Sequence, residues 1–325
     1  MPKGSWFREV PSQLKSMKPT DIIGCAGSVV LLLSAAAWIP VLGLALTLLT
    51  PLPFLYYATR LGLRDGVKIA VVTLLFAGLL ANLAGYPQMM ISCFESSLLG
   101  LVLSELYRRR FTLGLTIVLG TCSVLIVSVL LLSLVTSSGI MEPTDMNPES
   151  HDSRDEEIIQ AYKDLGFDED KAIQIQKVME DIILKIYPAM FILGTALNVC
   201  FIVLLSRPLL RFKDLPYPDF GPMDRWRAPE LMVWGVIATG FALFLTTGSI
   251  KLFAVNALIV MVAIYVFHGL SIAQFFLNKY HTPLLGRLGI YLLIFILPYF
   301  LVTLAIAGLF DQWADFRKLN QKAVT

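Results

Sequence analysis

Nine long apolar runs set the terms on which this chain folds. They lie at about 22–39, 41–59, 67–85, 87–106, 111–135, 186–206, 229–247, 252–278 and 284–309 of the 325 residues. A helix crosses the hydrocarbon core with roughly 17–25 residues, and each run qualifies. No water is available there to backbone N–H and C=O groups, so a segment that satisfies its own amides is favoured. A membrane β-barrel would need segments of about ten residues that alternate in polarity. Val29-Val30-Leu31-Leu32-Leu33 and Val124-Leu125-Ile126-Val127 are instead apolar on every face. The expected fold is all-α, a polytopic transmembrane helix bundle of about nine spans. The count becomes eight if the region around Pro40, Pro51 and Pro53 re-enters instead of crossing.

Composition removes several function classes. Hydrophobic residues make up 56% and charged residues 15%, with a mean hydropathy of +0.72. Soluble domains hold about 45–50% and about 25%. A soluble enzyme, a disordered chain and a nucleic-acid-binding protein are excluded. Cys25, Cys93, Cys122 and Cys200 each sit inside an apolar run without Cys-x-x-Cys spacing, which gives no disulfide framework. The first run is read as a retained anchor and not a cleaved leader, because a second hydrophobic span follows at once.

Lys and Arg order the spans across the membrane. Basic clusters fall at Lys3/Arg8/Lys15/Lys18, Arg60/Arg64/Lys68, Arg108-Arg109-Arg110, Arg207/Arg211/Lys213/Arg225/Arg227 and Lys279/Arg287. Neighbouring clusters enclose two spans each, so all five fit the cytoplasmic side, with the N-terminus cytoplasmic. Nine spans then put the C-terminus outside, against the preference of Arg317, Lys318 and Lys322. Residues 137–185 hold 13 acidic side chains against 5 basic ones and belong outside. Their first part is rich in breakers; a helical hairpin follows, with Gly166 ending its first arm and Asp168-Glu169-Asp170 loading the next N-terminus. The hairpin is either a solvated acidic linker or a lid over an outward-facing cavity. The chain thus divides into a five-helix part (1–136), the acidic extracytoplasmic loop and hairpin (137–185), a sixth span with a Pro-rich cytoplasmic linker (186–228) and a three-span part with a tail (229–325).

Catalytic and nucleotide-binding motifs are absent: there is no phosphate-binding Gly-x-x-x-x-Gly-Lys-Ser/Thr loop, no His-Glu-x-x-His and no Gly-x-Ser-x-Gly. The chain is read as a non-enzyme without cofactor or metal. Candidate chemistry rests on polar residues inside the spans. Glu95 in the fourth span costs about 2.5–3.5 kcal/mol at mid-bilayer, so it faces the bundle interior. There it either binds a cationic or hydroxylated group, carries a proton, or accepts hydrogen bonds from nearby hydroxyls. Asn82, Asn198 and Asn256 are either hydrogen-bonding partners for a ligand or interhelical glue. His268 and Gln274, six apart in the eighth span, complete the candidate set. Arg60 and Arg64 are accounted for by snorkelling to the lipid phosphates. The linker at 207–228 carries four prolines with Phe220, Trp226 and Arg227, and serves either as an interface anchor or as a contact for a partner protein.

Four groups of short motifs carry a resemblance. These are Leu52-Pro53-Phe54-Leu55 with Arg60-Leu61-Gly62; Trp226-Arg227-Ala228-Pro229-Glu230; His268-Gly269-Leu270-Ser271; and Gly308-Leu309-Phe310-Asp311 with Asp315-Phe316-Arg317-Lys318. Together they resemble YybS-like bacterial membrane proteins, a family of unknown function, over about residues 20–318. That family is distantly similar to the substrate-binding components of energy-coupling-factor vitamin transporters and to the cell-shape protein MreD. The resemblance implies a substrate-capturing helix bundle driven by a separate ATPase chain. Two departures stand out: the first span lacks Ala-x-x-x-Ala spacing, and the C-terminal spans exceed the usual six.

The resulting expectation is a transport component of the bacterial cytoplasmic membrane. It binds a small molecule through Glu95, Asn82 and Asn198, and its partners are the bilayer and an energising protein. The alternative is a membrane scaffold that recruits envelope or cytosolic proteins.

Overall fold

The computed structural model describes residues 17–38, 40–86, 89–137, 159–160, 162–164, 166, 168–213, 215, 217 and 221–318. Among them are eleven α-helices of nine residues or more and no strand. In chain order these are α1 (Pro19–Trp38), α2 (Pro40–Leu48), α3 (Pro51–Leu61), α4 (Leu63–Leu83), α5 (Met89–Arg108), α6 (Leu113–Ser137), α7 (Glu169–Phe212), α8 (Met232–Leu245), α9 (Gly248–Lys279), α10 (Leu284–Ile296) and α11 (Pro298–Ala314). Every apolar run coincides with a helix or a broken pair of helices. Five helices (α4, α5, α6, α7 and α9) are long and apolar enough to cross a membrane, and the α10–α11 pair makes six if it counts as one span.

The breaks follow the prolines. Pro40 and Pro51 open α2 and α3, where a first-turn proline loses no helical hydrogen bond. Pro298 opens α11 after a bend of 101° at Leu297, so the ninth run is two short helices and not one straight rod. The second arm expected in the extracytoplasmic hairpin also differs. It is continuous with the sixth span in α7, one helix of 44 residues, about 66 Å long at 1.5 Å per residue. Gly166, at φ +89°, ends the turn before it, as its lack of a Cβ permits.

The chain forms two compact units, residues 1–151 with 194–220 and residues 152–193 with 221–325. In the first unit α5 is the central helix. One face meets Cys25, Val29, Phe54, Ile69 and Ala77 through Cys93. Another meets Leu55, Val199, Ile202 and Leu210 through Leu99, Leu103 and Tyr107. Gly100 lets α3 come close: a Cβ there would stand 2.8 Å from the Pro51 carbonyl oxygen and the Leu55 nitrogen. α1 starts with Asp21 accepting from the Lys18 N–H (3.1 Å), a capping contact. Asp21 also holds Arg60 at 3.0 Å, so Arg60 is anchored by protein and not by snorkelling alone.

In the second unit α9 is central. Pro188 interrupts the ladder of α7, and Asn256 of α9 mends it: its amide donates to the Lys185 carbonyl (2.8 Å) and accepts from the Ala189 N–H (2.8 Å). Asn256 is interhelical glue. α9 and α11 touch backbone to backbone where Gly269 faces Leu304 and Gly308 faces Tyr265, the numbers running in opposite senses. A Cβ on Gly269 would lie 2.1 Å from the Leu304 carbonyl oxygen. Gly269→Ala should therefore destabilise the purified protein by about 1–3 kcal/mol, the usual cost of overpacking. Gly240→Ala, with no atom within 4 Å of the new methyl, should leave detergent-solubilised thermal unfolding unchanged.

Candidate functional site

Charge inside an apolar helix bundle needs a partner of opposite sign, because hydration is not on offer. Asp311 lies in the last turn of α11, the end where the helix macrodipole disfavours a carboxylate. Its side chain is fully buried. The partner arrives from the same strand of sequence. Asp315 takes a left-handed conformation (φ 41°, ψ 56°) that ends the helix, and the chain turns so that Arg317 folds back onto Asp311. Nη2 of Arg317 donates to Asp311 Oδ2 at 3.0 Å, and the Phe316 N–H donates to Oδ1 at 2.8 Å.

His268 of α9 closes this pair from the other side. Its Nε2 lies 2.9 Å from Arg317 Nη2 and 3.2 Å from Asp311 Oδ2. A guanidinium only donates, so Nε2 accepts and the ring proton sits on Nδ1. Nδ1 is buried with no partner among the described residues. One helical turn further, Ser271 accepts from Arg317 Nη1 (2.8 Å) and shares its own proton between the carbonyls of Met223 (2.8 Å) and Trp226 (2.9 Å). Nη1 also reaches the Asp224 and Trp226 carbonyls, at 2.8 and 3.0 Å. Arg227 pairs with Asp315, Asn278 donates to Asp224 (3.0 Å), and the Trp226 ring stands edge-on to His268 at 6.1 Å. The glycines at 269 and 308 explain why this assembles: only their close contact brings α9 near enough to α11.

Three of the four motif groups singled out in the sequence thus meet in one place. Two arginines and two aspartates in ion pairs balance, and the geometry is that of a buried tie holding the 223–227 segment, α9, α11 and the C-terminal turn together. The one hydroxyl described within it, that of Ser271, shares its proton between two backbone carbonyls. Among the described residues no three His, Cys, Asp or Glu side chains gather as a metal site.

The residues proposed for binding are dispersed. Glu95, half-buried on α5, accepts a 2.6 Å hydrogen bond from Ser128 of α6. Asn82 is exposed near the end of α4 and lines an open, mainly apolar groove of ≈ 460 Å³ with Leu74, Gly78, Leu79 and Met90. Glu95 is not among its lining residues. Asn198 is half-buried on α7, its Oδ1 buried without a partner. Gln274 is half-buried on α9 and makes no hydrogen bond among the described residues. His268 belongs to the buried tie. Trp226 and Arg227, read as partner contacts, are engaged by His268 and Asp315; Phe220 lies outside the described residues. Asp311 and Arg317 were not singled out as site residues. The legible signal was an aspartate at the negative end of a helix with an arginine six residues on.

These features define a multi-pass α-helical membrane protein with a buried charge cluster near the end of its last helix. Residues 27–312 match the family described as "Predicted membrane protein (DUF2232)", and the chain belongs to that family. It is 21% identical over 287 residues to the "Uncharacterized protein YybS" of Bacillus subtilis (strain 168), covering 86% of this chain and 91% of that protein. The resemblance read from the motifs is borne out. No solved structure matches.

Removing one member of a buried ion pair leaves the other uncompensated, at about 3–5 kcal/mol. Arg317→Gln and Asp311→Asn should each lower thermal stability by about that much. The double variant should recover part of the loss, and a double-mutant cycle on detergent-solubilised protein reads the coupling.

Proposed function

We propose that this protein is a membrane transport component that captures a small molecule within its first unit and draws energy from another chain or from a proton. The observation that carries the reading is Glu95. A carboxylate inside a span is expensive and marks a functional site by default. Here Ser128 holds Oε1 at 2.6 Å, while Oε2 has no partner among the described residues. Asn198 supports it with a second unpaired acceptor in the same unit. α5 and the later part of α7 run side by side in parallel, as Leu99 with Val199 and Tyr107 with Ser206 attest. Two acceptors suit a ligand that offers donors, cationic or hydroxylated. The alternative, a scaffold recruiting partners through 207–228, draws less support, because Trp226 and Arg227 are occupied within their own unit.

Glu95→Gln keeps the shape and the Ser128 contact and removes the charge. Native mass spectrometry of the gently solubilised protein should show a bound small molecule in the wild type that is lost, or reduced by a large factor, in the variant at equal thermal stability. An identical bound species in both would reject the role of Glu95.

The proposed setting is the bacterial cytoplasmic membrane, with the N-terminus and the 207–228 linker cytoplasmic and 137–185 outside. We propose eight crossings, the ninth run returning to the side it left. The 101° bend between α10 and α11 supports this, as does Arg317 bonding to the Asp224 and Trp226 carbonyls just ahead of α8. Cysteines introduced as Arg225→Cys and Lys318→Cys should react alike with a membrane-impermeant maleimide on intact cells, and oppositely to Asp164→Cys. Opposite labelling of the first two restores nine crossings.

A further inference from the structure

Six basic residues converge at one end of the first unit, and neither the ion-pair tie nor the Glu95 site uses them. A buried hydrogen bond between Tyr107 and Ser206 (2.7 Å) fixes α5 to α7 near their C-termini. Leu106, Tyr107 and Leu210 share one core cluster, onto which Leu215 and Tyr217 also pack. The two helix ends therefore emerge together, bringing Arg108, Arg109 and Arg110 beside Arg207, Arg211 and Lys213, all six exposed. Two of the three arginines on α5 and its turn contact a single carboxylate, with Glu105 at 2.9 Å from Arg109 and 3.8 Å from Arg108. On the α7 side Arg211 and Lys213 have no ion-pair partner among the described residues. Between them Phe212 is 83% exposed, with the Lys213 ammonium 5.5 Å from its ring centre.

Basic residues at helix C-termini offset the macrodipole, and that accounts for one or two of them. Arg211 and Lys213, exposed and without an ion-pair partner among the described residues, leave positive charge at the end of a membrane helix pair. An exposed phenylalanine flanked by cations fits the border between acyl chains and headgroups, where aromatic side chains anchor and basic groups meet lipid phosphate. A soluble phosphate would gain nothing from Phe212. We propose that the joined ends of α5 and α7 form a binding surface for anionic phospholipid, with Arg211 and Lys213 taking the headgroup phosphate and Phe212 seated among the first acyl carbons.

The test compares thermal unfolding of the full chain in nanodiscs of phosphatidylcholine and of phosphatidylglycerol. Wild type should unfold several degrees higher in phosphatidylglycerol. Arg211→Gln with Lys213→Gln should keep its phosphatidylcholine midpoint and lose at least half of that increment. The charge-preserving exchange Arg211→Lys with Lys213→Arg should retain it, which separates charge from a folding defect. An increment absent in wild type, or equal in the Gln variant, overturns the proposal. Inorganic phosphate in phosphatidylcholine discs giving the same increment would assign the surface to a soluble anion and overturn the lipid assignment.

Discussion

In hydrocarbon a polar group finds a partner inside the protein or goes without, and this structure is organised around that constraint. Its most demanding case is Asp311. With its side chain shut off from solvent, the carboxylate is supplied with the Arg317 guanidinium and the Phe316 amide. Arg317 in turn needs more acceptors than one carboxylate offers. It finds them in His268, Ser271 and the carbonyls of Asp224 and Trp226. One buried charge thereby recruits a helix, a turn and a linker.

The same constraint operates at smaller scale elsewhere. Pro188 leaves backbone groups of α7 short of their regular partners, and Asn256 supplies both a donor and an acceptor. Hydroxyls of Ser28, Thr47, Ser123 and Thr239 return to carbonyls three or four residues back, which satisfies them without any neighbour. Glu95 departs from this pattern, as do Asn198 and the buried hydroxyls of Thr50, Thr73, Thr116 and Thr121, and among these it alone is a carboxylate. Ser128 meets only one of its oxygens, and this incompleteness gives it a functional reading that the fully enclosed Asp311 does not share.

Two kinds of charge therefore serve different ends. Asp311 and Arg317 neutralise each other and hold elements together, every contact of the pair being to another part of the same unit. At the ends of α5 and α7 the charge is instead exposed, and Arg211 and Lys213, without an ion pair among the described residues, are the groups proposed to meet headgroup phosphate. A net charge of +2 for the chain conceals both, since what matters is where each charge lies.

Helix content, the membrane environment and the place of each apolar run were legible from hydropathy alone, because a water-free layer leaves the backbone few other choices. The motifs Trp226-Arg227, His268-Gly269 and Gly308 to Arg317 were visible as strings, and so was the family they indicate. That they form one cluster was not, because His268 and Asp311 are 43 residues apart and meet only through the crossing that Gly269 and Gly308 permit. Arg60 shows the same limit: its position at a helix end reads as snorkelling, and only the packing of α1 against α3 and α4 brings Asp21 to it. Periodicity and composition act along the chain and fix which segments become helices. Which polar side chains end up as partners depends on contacts between helices, and those are decided by shape at the points of closest approach.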